Sequence, residues 1–258
     1  MMKMKKMMAL LLALVMVLAM TACGGGESDD GIPVYEVLTE ATYPPFDTVD
    51  EDGNIVGFDM DLIAAIGEDQ GFKVEFVDMA FTALIPALEA GNGDIIAAGM
   101  WSGDPERREK VDFSDDYHVS GRAVLVKADN TTITGTASFT PNMKVASQIG
   151  TNYADEVQAM KDEGKIKEAV ILDGFDTCVL QLANGDVDAV VVNYSIAKAY
   201  MKAYDGEVKI AGDIEAAEGK GFAVQKGNAE LLEKINTGLQ NVKDNGIYDQ
   251  LIEKWEVE

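Results

Sequence analysis

The same short passage occurs twice in this chain, and it constrains the fold more than any other sequence feature. In the first copy, Gly91-Asn92-Gly93-Asp94 separates an apolar helical stretch from Ile95-Ile96-Ala97-Ala98; in the second, Ala183-Asn184-Gly185-Asp186 precedes Val187-Asp188-Ala189-Val190-Val191-Val192. A helix, a glycine stop, an acidic turn and a buried strand in this order are typical of α/β units. The sequence therefore predicts two units built alike, although glycine and asparagine are common in αβ loops generally.

Apolar runs alternate with amphipathic stretches from Val34 onward. This alternation predicts the α/β class with mostly parallel sheets. The expected elements are a helix at 58–66 that ends at Gly71, a strand at 74–77, a helix at 84–89 and two C-terminal helices at 231–242 and 247–255.

The strand ends of these two units predict where a ligand binds. In open parallel sheets, ligands bind beyond the carboxyl ends of the strands. Those ends are followed by Gly99 to Ser102 in one unit and by Asn193 to Ser195 in the other. Two units that both offer strand ends can form a cleft that closes on a small ligand.

Charge and residue usage exclude several function classes. The chain has 21 Lys plus Arg and 45 Asp plus Glu, and a field of this sign repels phosphate backbones, which excludes nucleic-acid binding. Cys23 and Cys178 are too few for a disulfide scaffold or a cysteine zinc cluster. His118 is the sole histidine, so a catalytic triad is not expected and a structural role is. No metal or cofactor is expected.

The N-terminal segment is typical of an export signal. Residues 1–6 are basic, and residues 7–20 form an apolar run too short to span a membrane. Met20-Thr21-Ala22-Cys23 resembles a bacterial lipobox, in which the cysteine is lipidated and becomes the mature N-terminus. We expect a signal peptide at 1–22, and at 23–33 a lipidated Cys23, carrying a fatty acid such as palmitate, with a flexible tether. A plain signal peptide with a chance cysteine is the alternative.

Arg107 is a candidate ligand contact on the residues alone. Asp104-Pro105 is a favourable helix start, which puts Arg107 in the first turn, where a cation opposes the helix dipole. Bidentate capture of a ligand carboxylate would explain a guanidinium there, and a surface pair with Glu106 or another nearby acid would be the simpler explanation. Tyr43, before two prolines, and Phe81 are either cleft walls or packed residues.

Five motifs follow one another along the chain. They are Glu40-Ala41-Thr42-Tyr43-Pro44-Pro45-Phe46, Gly57-Phe58-Asp59-Met60-Asp61-Leu62, Ala83-Leu84-Ile85-Pro86-Ala87-Leu88, Gly99-Met100 with Pro105-Glu106-Arg107, and Val111-Asp112-Phe113-Ser114. Together they resemble the extracytoplasmic polar amino-acid-binding proteins of ABC importers. The resemblance extends over 34–255 and implies the type II periplasmic-binding-protein fold, with two lobes and a ligand cleft between them.

The resemblance also implies roles for individual residues. Arg107 would hold the ligand α-carboxylate, helped by Thr151. Tyr43 and Phe81 would enclose the ligand side chain, and Glu40 would face a cationic or amide group. The full set of matching positions is Glu40, Tyr43, Phe81, Gly99, Met100, Trp101, Ser102, Arg107, Gln148, Thr151 and Asn193.

Three positions depart from the family pattern. Ala98 and Trp101 stand where Ser or Thr is usual, and an extra residue before Pro105 allows Ser102 to supply one hydroxyl. Asn193 stands where an Asp ordinarily binds the ligand ammonium, and an uncharged amide makes a weaker bond to it. Either affinity for α-amino acids is reduced, Glu40 compensates, or the ligand is of another kind.

The expected protein is a monomeric receptor on the outer face of the bacterial cytoplasmic membrane. It would capture a neutral polar or cationic amino acid and deliver it to an ABC permease and its ATPase. The expected lobes are 34–124 with 223–258, and 125–222, closing about hinges near 123–127 and 221–226. A secreted enzyme similar to cyclohexadienyl dehydratases, with Glu40 as its acid, and a ligand-sensing receptor subunit are the alternatives.

Overall fold

The computed structural model describes residues 26–27 and 31–257 of the chain. The expected signal peptide, the lipidation site Cys23 and most of the tether lie outside these residues. Among the described helices, none combines the length and the apolar character that crossing a bilayer requires.

The chain builds a first lobe, passes into a second lobe and returns. The first lobe starts with strands β1 (Gly26–Glu27), β2 (Pro33–Thr39), β3 (Thr48–Val49) and β4 (Ile55–Val56), helix α1 (Phe58–Gln70), β5 (Lys73–Asp78), α2 (Phe81–Glu89), β6 (Ile95–Ile96), α3 (Pro105–Lys110) and β7 (Val111–Phe113). The second lobe contains β8 (His118–Lys127), a 3-10 turn (Thr136–Ser138), β9 (Lys144–Gln148), α4 (Asn152–Asp162), β10 (Glu168–Leu172), α5 (Phe175–Asn184), β11 (Ala189–Asn193), α6 (Tyr194–Ala203) and β12 (Val208–Lys220). The first lobe is completed by β13 (Ala223–Gln225), α7 (Ala229–Asp244) and α8 (Ile247–Trp255).

The two sheets are arranged alike, which confirms the prediction of two similar units. In the first, the parallel strands β5-β2-β6 are followed by β13, which runs against them, and then by β7, which is antiparallel to β13. In the second, the parallel strands β10-β9-β11 are followed by β8, which runs against them, and then by β12, which is antiparallel to β8. The sheets are therefore mixed rather than mostly parallel, because the strand of each sheet that enters from the other lobe, β13 or β8, runs against the rest.

Most predicted elements are present, with shifted ends. Helix α1 buries Leu62, Ile63 and Ile66 and ends at Gly71, whose φ of +76° is the left-handed conformation that glycine adopts at helix ends. Helix α2 starts at Phe81, three residues before the predicted start at residue 84. The pattern of apolar residues did not indicate this first turn, because the turn is only partly buried and lacks apolar spacing. Strand β6 is shorter than predicted and β11 is shifted toward its C-terminal end.

The crossings between the lobes are the segments 114–117 and 221–222. Strand β8 pairs with β12 from one end to the other, His118 opposite Lys220 and Lys127 opposite Val208. Residues 123–127 therefore belong to the second sheet, and the hinge and boundary expected there are wrong: the chain crosses before β8 begins. The two crossings lie against each other, because the buried rings of Tyr117 and Phe222 stack with centroids 4.5 Å apart.

Cys178 and His118 both pack against other residues of the fold. Cys178, on α5, is a free, fully buried thiol, and burial raises its pKa to about 12, so it acts as a small apolar residue. The His118 ring lies 5.4 Å from that of Phe46, and its Nε2 is 3.3 Å from the Ser195 hydroxyl.

Candidate functional site

A cleft lies between the lobes, at the edge where the parallel strands of both sheets end. Glu40 directly follows β2, Ala98 and Gly99 follow β6, and Gln148 is the last residue of β9. This is the position that parallel strands favour for a ligand. The cleft is lined by Glu40, Tyr43, Phe81, Ala98, Gly99, Trp101, Arg107, Gln148, Thr151, Asn152, Tyr153, Glu218 and Lys220.

Arg107 forms one end of the cleft. Asp104 caps α3 by accepting the backbone N–H groups of Glu106 and Arg107, and this cap fixes the first turn from which the arginine extends. The guanidinium is buried, lies 5.4 Å from the Phe81 ring centroid and donates from Nη2 to the Gly150 carbonyl of the other lobe at 2.9 Å. Burial lowers the pKa of Arg107, but an arginine remains charged at neutral pH. Nε of Arg107 lies 3.6 Å from Asp104 Oδ2, an ion pair with a nearby acid, while Nη1 and Nη2 donate to the carbonyls of Trp101 and Gly150. Because the Nη atoms contact uncharged groups, the buried guanidinium can also bind an anionic ligand group.

Glu40 and Gln148 form the other end. The Glu40 carboxylate accepts from the Thr42 hydroxyl and, across the lobes, from Nε2 of Gln148 at 3.1 Å. Nε2 of Gln148 also donates to the carbonyl of Asp173 at 3.0 Å. Burial raises the pKa of Glu40 to about 7, so its charge changes near neutral pH. This end can therefore pair with a cationic group or, once protonated, with a polar neutral one.

The wall next to Gly99 depends on a buried acid. Gly99 has a φ of +54°, and a Cβ there would approach the Tyr43 ring to 2.4 Å, so only glycine fits. The Asp59 carboxylate accepts the Gly99 N–H at 2.8 Å and the Tyr117 hydroxyl at 2.7 Å. Asp59 thus holds the turn that brings Gly99 and the ring of Tyr43 together at the cleft.

Three predicted residues do not line the cleft. Met100 is buried in the core of the first lobe, next to Leu38 and Leu84. The Ser102 hydroxyl donates to Asp116 at 2.5 Å and so does not replace the hydroxyl missing at Trp101. Asn193 is fully buried, and its Oδ1 accepts the N–H of a residue at the start of α6 at 3.1 Å. The strand end 193–195 is therefore a helix cap and not part of the cleft wall.

Sequence reasoning missed two charged residues of the cleft, Glu218 and Lys220. They lie at alternate positions of β12, so both side chains face the same way. Charged residues outside the recognised motifs looked like solvated surface. Their position directly before the second crossing could have indicated a place in the cleft, because a segment that joins two lobes passes the floor of the cleft between them.

Lys220 is a buried cation on that floor. Its Nζ donates to the Gly99 carbonyl at 2.9 Å and to the Tyr43 hydroxyl at 3.2 Å, and it lies 4.9 Å from the Tyr43 ring centroid. Within the described residues no carboxylate forms an ion pair with it. Burial lowers its pKa to about 8, so most molecules carry the charge at pH 7.

Comparison with known proteins gives a consistent result. The sequence profile of the bacterial extracellular solute-binding proteins, family 3, matches residues 35–258. A probable histidine-binding protein of Neisseria gonorrhoeae is 30% identical, over 98% of this chain and 96% of its own length.

Two solved structures share both sequence and shape with the chain. An ancestral arginine-binding protein bound to arginine is 42% identical, covers 86% of this chain and 97% of its own, and superposes with a TM-score of 0.81. The ancestral amino acid-binding protein AncCDT-1, a precursor of cyclohexadienyl dehydratase, is 38% identical over 86% of this chain and 95% of its own, with a TM-score of 0.78.

Proposed function

The chain belongs to the bacterial extracellular solute-binding proteins, family 3, and from this premise we propose that it is the amino-acid receptor of an ABC importer. It captures a free amino acid in the cleft between its lobes and delivers it to the permease. The observation that carries this proposal is the convergence of distant residues: Glu40, Tyr43, Arg107 and Gln148 line one small cleft. The cleft offers a cation at one end and an acid at the other.

The function is tested by a thermal-shift screen of the domain from residue 27 against the proteinogenic amino acids, ornithine, citrulline and cystine. A ligand present at 100 times its dissociation constant stabilises the folded state by about 2.7 kcal/mol, which raises the melting temperature by several degrees. We expect a shift with one amino acid or a few related ones. A screen in which no amino acid raises the melting temperature would contradict the proposal.

A cationic amino acid fits the cleft best. Glu40 can pair with a guanidinium or ammonium, and the aromatic side chains of Tyr43, Phe81 and Trp101 offer faces for a planar cation. The histidine-binding and arginine-binding relatives support this class. L-Arginine is therefore the first probe.

Affinity for L-arginine should depend on pH through Glu40. Because burial raises the pKa of Glu40 to about 7, an arginine that binds the ionised carboxylate below this pH must displace a proton. We expect affinity to rise by about tenfold or less per pH unit from pH 5 to 7 and then to level off. Calorimetry at several pH values measures the slope.

Glu40→Gln is the matched variant for this prediction, since it keeps the shape and removes the titrating proton. It should bind L-arginine more weakly and with a flat profile over the same range. An unchanged slope in the variant would assign the dependence to another group.

Ligand capture should close the cleft. The lobes are joined by the crossings 114–117 and 221–222, and their facing walls meet through Arg107 with Gly150 and Gln148 with Glu40. A ligand that bridges both walls stabilises the closed arrangement. Small-angle scattering should show a smaller radius of gyration once L-arginine, or the amino acid that the screen identifies, is added. An unchanged radius at saturating ligand would contradict closure.

We also propose that Cys23 carries the lipid that ties this receptor to the outer face of the cytoplasmic membrane. The lipobox-like sequence and the polar residues after it support this proposal. Mass spectrometry of the membrane fraction should find an acylated N-terminal Cys23. A mature protein that is released with an unmodified thiol would contradict it.

Binding is favoured over turnover. The related structures include an ancestor of a dehydratase, and that ancestor is itself an amino acid-binding protein. The acid Glu40 accepts hydrogen bonds from Thr42 and Gln148, an arrangement that suits recognition of a ligand side chain. We therefore propose that the protein is not an enzyme.

A further inference from the structure

The bound amino acid needs a partner for its ammonium group, and the expected position cannot supply one. Asn193 has no exposed surface, and its Oδ1 accepts a backbone N–H at the start of α6. Its Nδ2 points to the Tyr153 hydroxyl at 3.4 Å. Asn193 is therefore separated from the cleft by Tyr153 and has no charge to offer.

Glu218 lies on the cleft side of that same tyrosine. Its carboxylate accepts the Tyr153 hydroxyl at 2.6 Å and Nδ2 of Asn152 at 2.5 Å, one at each oxygen. Both donors come from the first turn of α4, so the carboxylate is held in place. Both donors are uncharged. The cations Lys220 and Arg107 line the same cleft and act on Glu218 electrostatically, but among the described residues neither is within ion-pair distance of it. Each oxygen of a carboxylate has a second acceptor position, which leaves Glu218 able to bind a cation.

Glu218 also lies at the correct end of the cleft. An amino acid carries its carboxylate and ammonium on one carbon, so the two partners of these groups must be close to each other. Nη2 of Arg107 donates to the Gly150 carbonyl at 2.9 Å, and Asn152, two residues further along the chain, donates to Glu218 at 2.5 Å. Glu218 therefore lines the cleft at the same end as Arg107.

We propose that Glu218 binds the α-ammonium of the captured amino acid, in place of the acid that residue 193 lacks. This inference rests on the proposed function. The charge-assisted bond forms from the ammonium to a carboxylate oxygen on β12, while Arg107 holds the α-carboxylate. Asn193 acts one step away, through the tyrosine that positions Glu218.

The test compares each amino acid with its analogue that lacks the ammonium group. The pairs are L-arginine with 5-guanidinopentanoate, L-histidine with 3-(imidazol-4-yl)propanoate, and L-glutamine with 4-carbamoylbutanoate, titrated calorimetrically at pH 7. The wild-type protein should prefer the amino acid by about 10- to 100-fold, the range expected for a hydrogen bond to a charged group. In Glu218→Gln this preference should fall to within about threefold, and the affinity for the analogue should change little.

Two further variants complete the design. Glu218→Asp keeps the charge on a shorter side chain and should show an intermediate preference. Glu163→Gln changes an exposed acid of the same lobe and should keep the full preference. A ratio of two affinities, measured on one preparation, does not depend on the fraction of protein that is folded. If Glu218→Gln yields no folded protein, the test rests on Glu218→Asp: an intermediate preference for the amino acid supports the role of Glu218, and a full preference overturns it.

The outcomes separate this inference from the proposed function. Binding with an unchanged preference in Glu218→Gln, or an equal loss for the amino acid and its analogue, would overturn the role of Glu218 and leave the receptor function standing. If no amino acid bound the wild-type protein, the proposed function would fall and the inference with it.

Discussion

Replacing Arg107 by alanine should abolish high-affinity binding of the amino acid. The guanidinium is buried at the cleft wall and is the cation that we assign to the ligand carboxylate. Truncation leaves that carboxylate without its partner, which costs about 2–5 kcal/mol, or roughly 30- to 5,000-fold in affinity. Calorimetric titration of the variant with L-arginine, or with the amino acid that the screen identifies, measures the loss.

Arg108→Ala is the matched control, because this neighbour lies against the Phe113 ring and donates to the Ser102 carbonyl and does not line the cleft. Its effect on affinity should stay within about threefold. Arg107→Lys keeps the charge without the planar fork and should bind with intermediate affinity. If Arg107→Ala bound the ligand within threefold of the wild type, the carboxylate would have another partner, and Lys220 would be the first to examine.

Phe222→Ala should destabilise the protein more than any surface change. The ring is fully buried at the second crossing and stacks on Tyr117 of the first, with an interplanar angle of 25°. Removing a buried phenylalanine side chain costs about 3–5 kcal/mol, since the transfer free energy is lost and a cavity remains. Urea denaturation followed by circular dichroism measures the change in the free energy of unfolding.

Val119→Ala provides the comparison, because this residue lies at the start of β8, just after the first crossing, and its side chain is 56% exposed. It should change the free energy of unfolding by less than about 0.5 kcal/mol. A cost below about 1 kcal/mol for Phe222→Ala would show that the two crossings are not held together by this aromatic stack.

The repeated passage and the ordered motifs were sufficient to predict the fold class. The spacing of apolar residues and the residue types of turns are local properties of the sequence. The two α/β units could therefore be recognised from Gly91 to Asp94 and from Ala183 to Asp186 alone. Residues inside strong local motifs, such as Tyr43 and Arg107, line the cleft, and their roles in ligand binding stay predictions. The first crossing was placed too late, because Ala123 to Lys127 reads as an apolar strand whichever sheet it joins.

The sequence by itself determined the two-unit α/β architecture, the strand end at Ala98 and Gly99 that lines the cleft, and the acidic character of the chain. Only the tertiary structure decided that Asn193 is buried against Tyr153, and that Glu218 and Lys220 of β12 line the cleft. The reason is physical: a side chain's identity fixes its chemistry, but its exposure depends on elements distant in sequence that pack over it. Asn193 and Glu218 are linked through a residue of a third element, α4, and no local pattern records that contact.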